Sequence, residues 1–279
     1  MSKYYCLIAG LPELTLEDSK LSYTVADFRI ELYPDLSTVD KKMIDLFYLK
    51  FDNENVLRLL KDKDAVIDAR GTFSAQHLID CISTLKDGGE VDSKTFPSYL
   101  SSFILYYFSE INDEQFFYED YLSALYYEYA MNCKNKFIAS WFEFNLSINN
   151  ILVALTARKY KEDVTQSIVG QTDVCEALRT SGARDFGLTG EVDYFDTLMK
   201  ISELTDLVDR ERKIDALKWA WMEDAVFFNY FTIERIFVFL LRLEIVERWI
   251  SLDKEKGSQL FRNMIDSLKN DVQIPAEFR

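Results

Sequence analysis

The 279 residues are enough for one large or two small domains around a buried core, and 48% hydrophobic with 28% charged side chains marks a globular chain. Nine glycines and four prolines are too few for a β-sandwich or barrel, which needs a turn roughly every eight to twelve residues. With 32 basic against 47 acidic residues the net charge is −15, which argues against a nucleic-acid binder, because phosphate contact needs a basic face.

In chain order, Lys3 to Ala9 reads as a short strand and is the one strand expected. Its apolar run is too short for a signal-peptide core or a bilayer span. After it the period is helical almost throughout. Ser22 opens a segment with Val25, Phe28 and Leu32 on one face, stopped by Pro34. Ser37 with Asp40 is a capping-box-like start for a helix carrying Met43, Leu46, Phe47 and Lys50. Ser74 caps a helix with Leu78, Ile79, Ile82 and Leu85 inward, ended by Gly88-Gly89. Pro97 suits the first turn of a helix running through Phe103 and Tyr107 to Ile111. Asn112 with Gln115 opens another to about Met131, and a long apolar-periodic stretch follows from Phe137 to Tyr160. Thr172 to Thr180 is a short helix closed by Gly182; Gly182, Gly187 and Gly190 then read as a linker. Further helices are expected at 191–203, 205–228, 232–252 and 254–270. The fold class is all-α. Ala225 to Val246, broken by Glu234, Arg235, Arg242 and Glu244, reads as a buried amphipathic helix rather than a membrane span. Cys6, Cys81, Cys133 and Cys175 are widely spaced and read as reduced, mostly buried thiols, with the cytoplasm as the expected compartment.

Chemistry finds little footing. His77 is the one histidine, with Ser74 three residues before it, so neither a Glu-x-x-His di-iron pattern nor a zinc set forms. There is no Gly-x-Ser-x-Gly and no glycine-rich phosphate loop. A magnesium-dependent prenyl-transferring enzyme would need Asp-Asp-x-x-Asp spacing; Asp113-Glu114, Glu119-Asp120, Asp206 and Asp209 are the nearest acids and do not supply it. No catalytic residue, metal or cofactor is expected.

Two features stand out. From Thr95 to Cys133 there is no Lys or Arg, while Glu110, Asp113, Glu114, Glu119, Asp120 and Glu128 accompany twelve aromatic residues from Tyr99 to Tyr129. Glu110, Asp113, Glu114, Glu119 and Asp120, with Phe116, Phe117, Tyr118 and Tyr121, are the candidate contacts for a basic protein partner. The plainer reading is that Phe103, Tyr107, Phe117, Tyr121 and Leu125 are core, with the acids outside. The second feature is an echo between Phe142–Ile151 and Leu240–Ile250: each is a long apolar helix interrupted by polar groups, which must find hydrogen bonds and so should pin one helix to another.

At these segments a family resemblance emerges. Phe231-Thr232-Ile233-Glu234-Arg235-Ile236-Phe237-Val238-Phe239-Leu240-Leu241, continuing to Glu244, Arg248 and Ile250, resembles the C-terminal helix of the C-type stalk subunits of V-type ATPases and ATP synthases, the family that includes the eukaryotic d subunit. The helix from Asn145 to Lys159 is similar to that family's internal copy of the pattern, although Arg235 stands where the family has Pro and Trp249 where it has Asn. Tyr4 to Pro12 is similar to the opening of a bacterial family encoded beside V-type ATPase genes. The resemblance implies a three-lobed, pseudo-threefold helical funnel with lobes at 1–95, 96–187 and 188–279. It implies a non-catalytic rotor socket in the central stalk, binding shaft subunits D and F and the membrane rotor ring, cytoplasmic and peripheral to the inner membrane. The alternative is a soluble all-α adaptor using the same acidic aromatic surface for an unrelated basic partner.

Overall fold

The computed structural model describes residues 4–109 and 117–252. Among them there is no strand. The helices are α1 (Tyr5–Ala9), α2 (Val25–Asp27), α3 (Thr38–Lys61), α4 (Ala75–Lys86), α5 (Ser98–Tyr107), α6 (Tyr118–Met131), α7 (Lys136–Tyr160), α8 (Val164–Ser167), α9 (Asp173–Thr180), α10 (Phe195–Ser202), α11 (Leu207–Val226) and α12 (Ile233–Ser251). The all-α class therefore holds, and the expected N-terminal strand is corrected to a helical turn. Ile8 N–H donates to the Tyr4 carbonyl at 3.0 Å and Gly10 N–H to that of Cys6 at 3.3 Å. A short apolar run has no decisive period, and a lone strand would leave its backbone groups without a ladder.

Side-chain caps set most helix starts. Ser37 Oγ accepts the Asp40 N–H, Ser74 that of His77, Asn135 that of Ile138 and Thr172 that of Cys175. Asp206 accepts from Val208 and Asp209, opening α11. The segment read from Ser22 starts instead at Thr24, which forms a full capping box with Asp27 and leads through a π-helical turn at Phe28–Leu32. The box expected from Asn112 and Gln115, and the helix expected at 254–270, lie outside the described residues.

These caps make stability acid-sensitive. The Thr24 hydroxyl and backbone hold the Asp27 carboxyl below the usual carboxylate range, Thr165 does the same for Asp163, and the Gly187 N–H leads for Asp185. Each carboxyl is more acidic folded than unfolded, so its stabilisation is present at neutral pH and disappears as pH falls through the folded value. The melting temperature should therefore drop between about pH 5 and pH 3, and less steeply in an Asp27→Asn, Asp163→Asn, Asp185→Asn variant. An equally steep profile in that variant would contradict the assignment.

The described chain forms two units. The larger runs from Ser37 to Trp221. Here α6 packs against both α5 and α7, α4 lies on α3 and α5, and α9 and α10 lie on α7. Phe103, Leu100, Leu122, Ile148, Ile151 and Phe195 are fully buried; each such side chain contributes about 2 kcal/mol of burial. Trp221 stacks on Phe144 with ring centroids 4.8 Å apart. By length and composition α7 could cross a bilayer, and in this unit its apolar side chains pack against neighbouring helices.

The smaller unit joins residues 4–36 to 222–252. Its core is Phe28, Ile236, Phe237, Leu240 and Leu243, with Tyr23 and Phe28 both against the Phe239 ring. The stretch from Ala225 to Val246 is not one helix, as its composition suggested: α11 ends at Val226 and α12 begins at Ile233, with an aromatic turn between them.

Candidate functional site

The acidic, tyrosine-rich segment forms a pair of helices, α5 and α6, zipped by rings. Tyr121 meets Phe103 at 6.2 Å and Tyr106 at 4.7 Å, and Tyr118 meets Tyr107 at 5.0 Å. Further along, Tyr126 is buried and its hydroxyl donates to the Leu46 carbonyl at 2.8 Å, while the Tyr99 hydroxyl donates to Asn53 Oδ1 at 2.7 Å. Burial raises the Tyr99 hydroxyl well above its ordinary range and makes it a donor at any working pH.

Of the candidate contacts, Glu110, Asp113, Glu114 and Phe116 lie outside the described residues. Phe117, Glu119 and Asp120 are exposed, whereas Tyr118 and Tyr121 are half-buried against α5. The two readings of this segment therefore divide it. Phe103 is core, Tyr107, Tyr121 and Leu125 are half-buried, and Phe117 faces solvent. Glu119 Oε1 lies 3.2 Å from Lys61 Nζ, an exposed pair worth little stability. Its own backbone N–H, then Lys61, holds the Glu119 carboxyl low. Partial burial, then the charge of Glu119, pushes Asp120 up. The result is a local acidic charge beside an exposed ring, suited to meeting a cation.

Around this surface the long helices grip loop backbone through buried polar side chains. On α3, Asp52 and Asn55 sit three residues apart on one face and are fully buried. Asp52 accepts the N–H groups of Thr72 at 2.8 Å and Phe73 at 3.2 Å. Asn55 donates to the Asp68 carbonyl at 2.9 Å and accepts the Asp68 N–H at 2.7 Å. Gly71 lies so close that an added Cβ would come within 2.5 Å of Asp52 Oδ1. Arg70 pairs with Asp68 at 2.6 Å and lies over the Phe51 ring.

On α7, Asn150 repeats the arrangement: it donates to the Val169 carbonyl at 2.7 Å and accepts the Val169 N–H at 3.0 Å. Arg179 donates to the Ile168 and Gly170 carbonyls. Asn145 donates to the Tyr127 hydroxyl at 2.8 Å, tying α7 to α6. The polar interruptions of this helix thus pin it to its neighbours, as their burial requires. In the smaller unit, Glu247 of α12 accepts the Val25 N–H at 3.0 Å, just after the Thr24 cap.

Arg158, near the end of α7, donates to the carbonyls of Ser181, Ala183 and Arg184, and its guanidinium lies over the Phe186 ring. Phe186 and Leu188 are buried. The glycine-containing segment read as a linker is corrected: it is a fixed loop clamped to α7. Glycine content signalled turns, and the clamping Arg lies over twenty residues upstream. Asp52 and Asn55 escape a reading of the sequence because polar residues in an apolar stripe are visible there, while their distant loop partners are not.

Among the described residues no three His, Cys, Asp or Glu side chains gather to hold a metal ion. Asp206 caps α11 and Asp209 pairs with Lys213 at 3.1 Å. His77 lies against the Phe73 and Phe96 rings, with Nε2 3.7 Å from Cys81 Sγ.

Residues 1–272 match the family model described as Protein of unknown function (DUF2764). The chain belongs to that family. No curated protein and no solved structure matches it. The DUF2764 match spans the acidic helix pair and all of the clasps described above.

Proposed function

We propose that this chain is a non-catalytic central-stalk subunit of a bacterial V-type ATPase. In that role it is the socket through which the rotating shaft is coupled to the membrane rotor ring for proton or sodium transport. Shaft subunits D and F and the ring are its partners, at the cytoplasmic side of the inner membrane. Its lobes would be 1–95, 96–187 and 188–279.

One recurrence carries the reading. Each proposed lobe supplies a long helix whose polar side chain holds backbone next to a side-chain-capped shorter helix. Asn55 of α3 grips Asp68 ahead of α4, capped by Ser74; Asn150 of α7 grips Val169 ahead of α9, capped by Thr172; Glu247 of α12 grips Val25 at the start of α2, capped by Thr24. The third clasp differs from the first two, since Val25 lies in the lobe at 1–95 and gives a single N–H. Long helices clamped in this way to distant backbone suit a body that must transmit torque without yielding.

The test is to mix the purified chain with subunits D and F and follow size-exclusion elution with light scattering at several salt concentrations. A one-to-one-to-one complex that weakens with salt is expected, with Glu119→Lys plus Asp120→Lys lowering affinity about tenfold and flattening the salt dependence. Affinity unchanged by that double substitution would mean that the acidic surface takes no part in the contact. Failure to bind both the shaft and the detergent-solubilised ring would leave the adaptor reading in its place.

A further inference from the structure

The turn joining α11 to α12 presents four aromatic side chains to solvent within five residues. Phe227 is 63% exposed, Phe228 83% and Tyr230 62%; Phe231 is partly exposed, with its ring 4.5 Å from that of the half-exposed Tyr5. A single exposed ring is ordinary, whereas a contiguous group marks a contact surface.

The display is fixed by hydrogen bonds. Phe227 N–H donates to the Asp224 carbonyl at 3.3 Å, Asn229 N–H to that of Val226 at 2.8 Å, and Tyr4 N–H to that of Phe231 at 2.8 Å. The Phe227 and Phe228 rings meet edge to face at 5.0 Å. On either side Met222, Val226 and Ile233 are buried, so the turn is anchored at both ends while its rings point outward. Rings held this way lose little entropy on binding.

Charge selects the occupant. Glu223 and Asp224 are exposed in the last turn of α11, immediately before the rings. Glu223 shares its charge with Arg242 at 3.4 Å, and Arg235 is an exposed cation on the far side of the turn. The described residues of this unit carry eleven acidic and five basic side chains. A second copy of the chain or an anionic bilayer would bring like charge against Asp224, which disfavours both.

We propose that the Phe227–Phe231 turn, together with Tyr5, docks into an apolar cleft of a partner protein whose rim carries Lys or Arg facing Asp224 and Glu223. Phe228 and Tyr230 are the anchors, as exposed rings in protein contacts commonly are. This surface is separate from the acidic α5–α6 pair and stands independently of the rotor-socket reading.

The test replaces Phe228 with p-benzoylphenylalanine in the full-length chain, irradiates the living source cells and maps the cross-linked peptide by mass spectrometry. The expected product is a protein cross-linked within an apolar segment flanked by Lys or Arg. Its yield should fall at least tenfold when Asp224→Lys is added, and likewise with Tyr230→Ser, while far-UV circular dichroism stays unchanged. Were either added variant to unfold, the other carries the test. Cross-links only to lipid or to a second copy, no cross-link, or a yield indifferent to both substitutions would overturn the proposal. If the mapped protein is an ATPase subunit, both readings gain. If it is a basic protein outside the ATPase, the docking surface stands and the rotor-socket reading loses support.

Discussion

Gly71→Ala is expected to lower the unfolding free energy by about 2–4 kcal/mol, a large effect for one added methyl group. The new Cβ would sit 2.5 Å from Asp52 Oδ1 and 2.9 Å from Asn55 Nδ2. Neither neighbour can swing aside cheaply: both side chains are short and fully buried, and both are already bonded to the loop they would have to release. Moving Asp52 would cost charge-assisted bonds to the Thr72 and Phe73 N–H groups, and moving Asn55 would break both bonds to Asp68. Asp52→Ala should cost a similar amount, because it strands two N–H donors beside a new cavity. Combined, the two changes should cost less than their sum, since removing the carboxylate makes room for the Gly71→Ala methyl. Urea unfolding of the two single variants and the double variant measures this. Strict additivity would mean that Gly71 and Asp52 are not in the contact described.

Arg158→Ala should cost about 2–4 kcal/mol and loosen the segment from Ser181 to Leu188. The guanidinium bonds three carbonyls there and covers the Phe186 ring, whose backbone holds φ at +55°, an uncommon value for a non-glycine residue. Arg158→Lys should recover only a minor part, because an ammonium lacks the planar fork that reaches several acceptors and stacks on a ring. Hydrogen exchange should show the Arg158→Ala variant losing protection at the Phe186 and Leu188 amides, with α4 unaffected. Full rescue by Lys, or loss spread evenly over the unit, would contradict the clamp.

Helix class and several helix starts are legible in the sequence because they are local. Ser37, Ser74 and Thr172 stand just before apolar-periodic runs, and each accepts the backbone hydrogen bond its position foretells. What escapes is non-local. Tyr4 to Ala9 is too short to show a period, and its contacts with Phe231, over two hundred residues away, help fix its place. Gly182, Gly187 and Gly190 mark real turns, while Arg158 decides whether those turns are loose or held. Composition finds the acidic aromatic segment, yet which rings face inward depends on α3, α5 and α7, so Tyr126 and Phe117 cannot be told apart beforehand. The break between the helices expected at 205–228 and 232–252 is legible, whereas the exposure of the rings at Phe227–Phe231 leaves no mark on composition.

The most direct test of the rotor-socket reading is to tag this chain in its own organism, purify it from gently solubilised membranes and weigh the intact assembly by native mass spectrometry. The expected assembly contains the ATPase's catalytic head together with shaft subunits D and F, and the tagged chain is present once. Recovery of the tagged chain without any of them, alongside an ATPase purified through its catalytic head that lacks this chain, would contradict the reading.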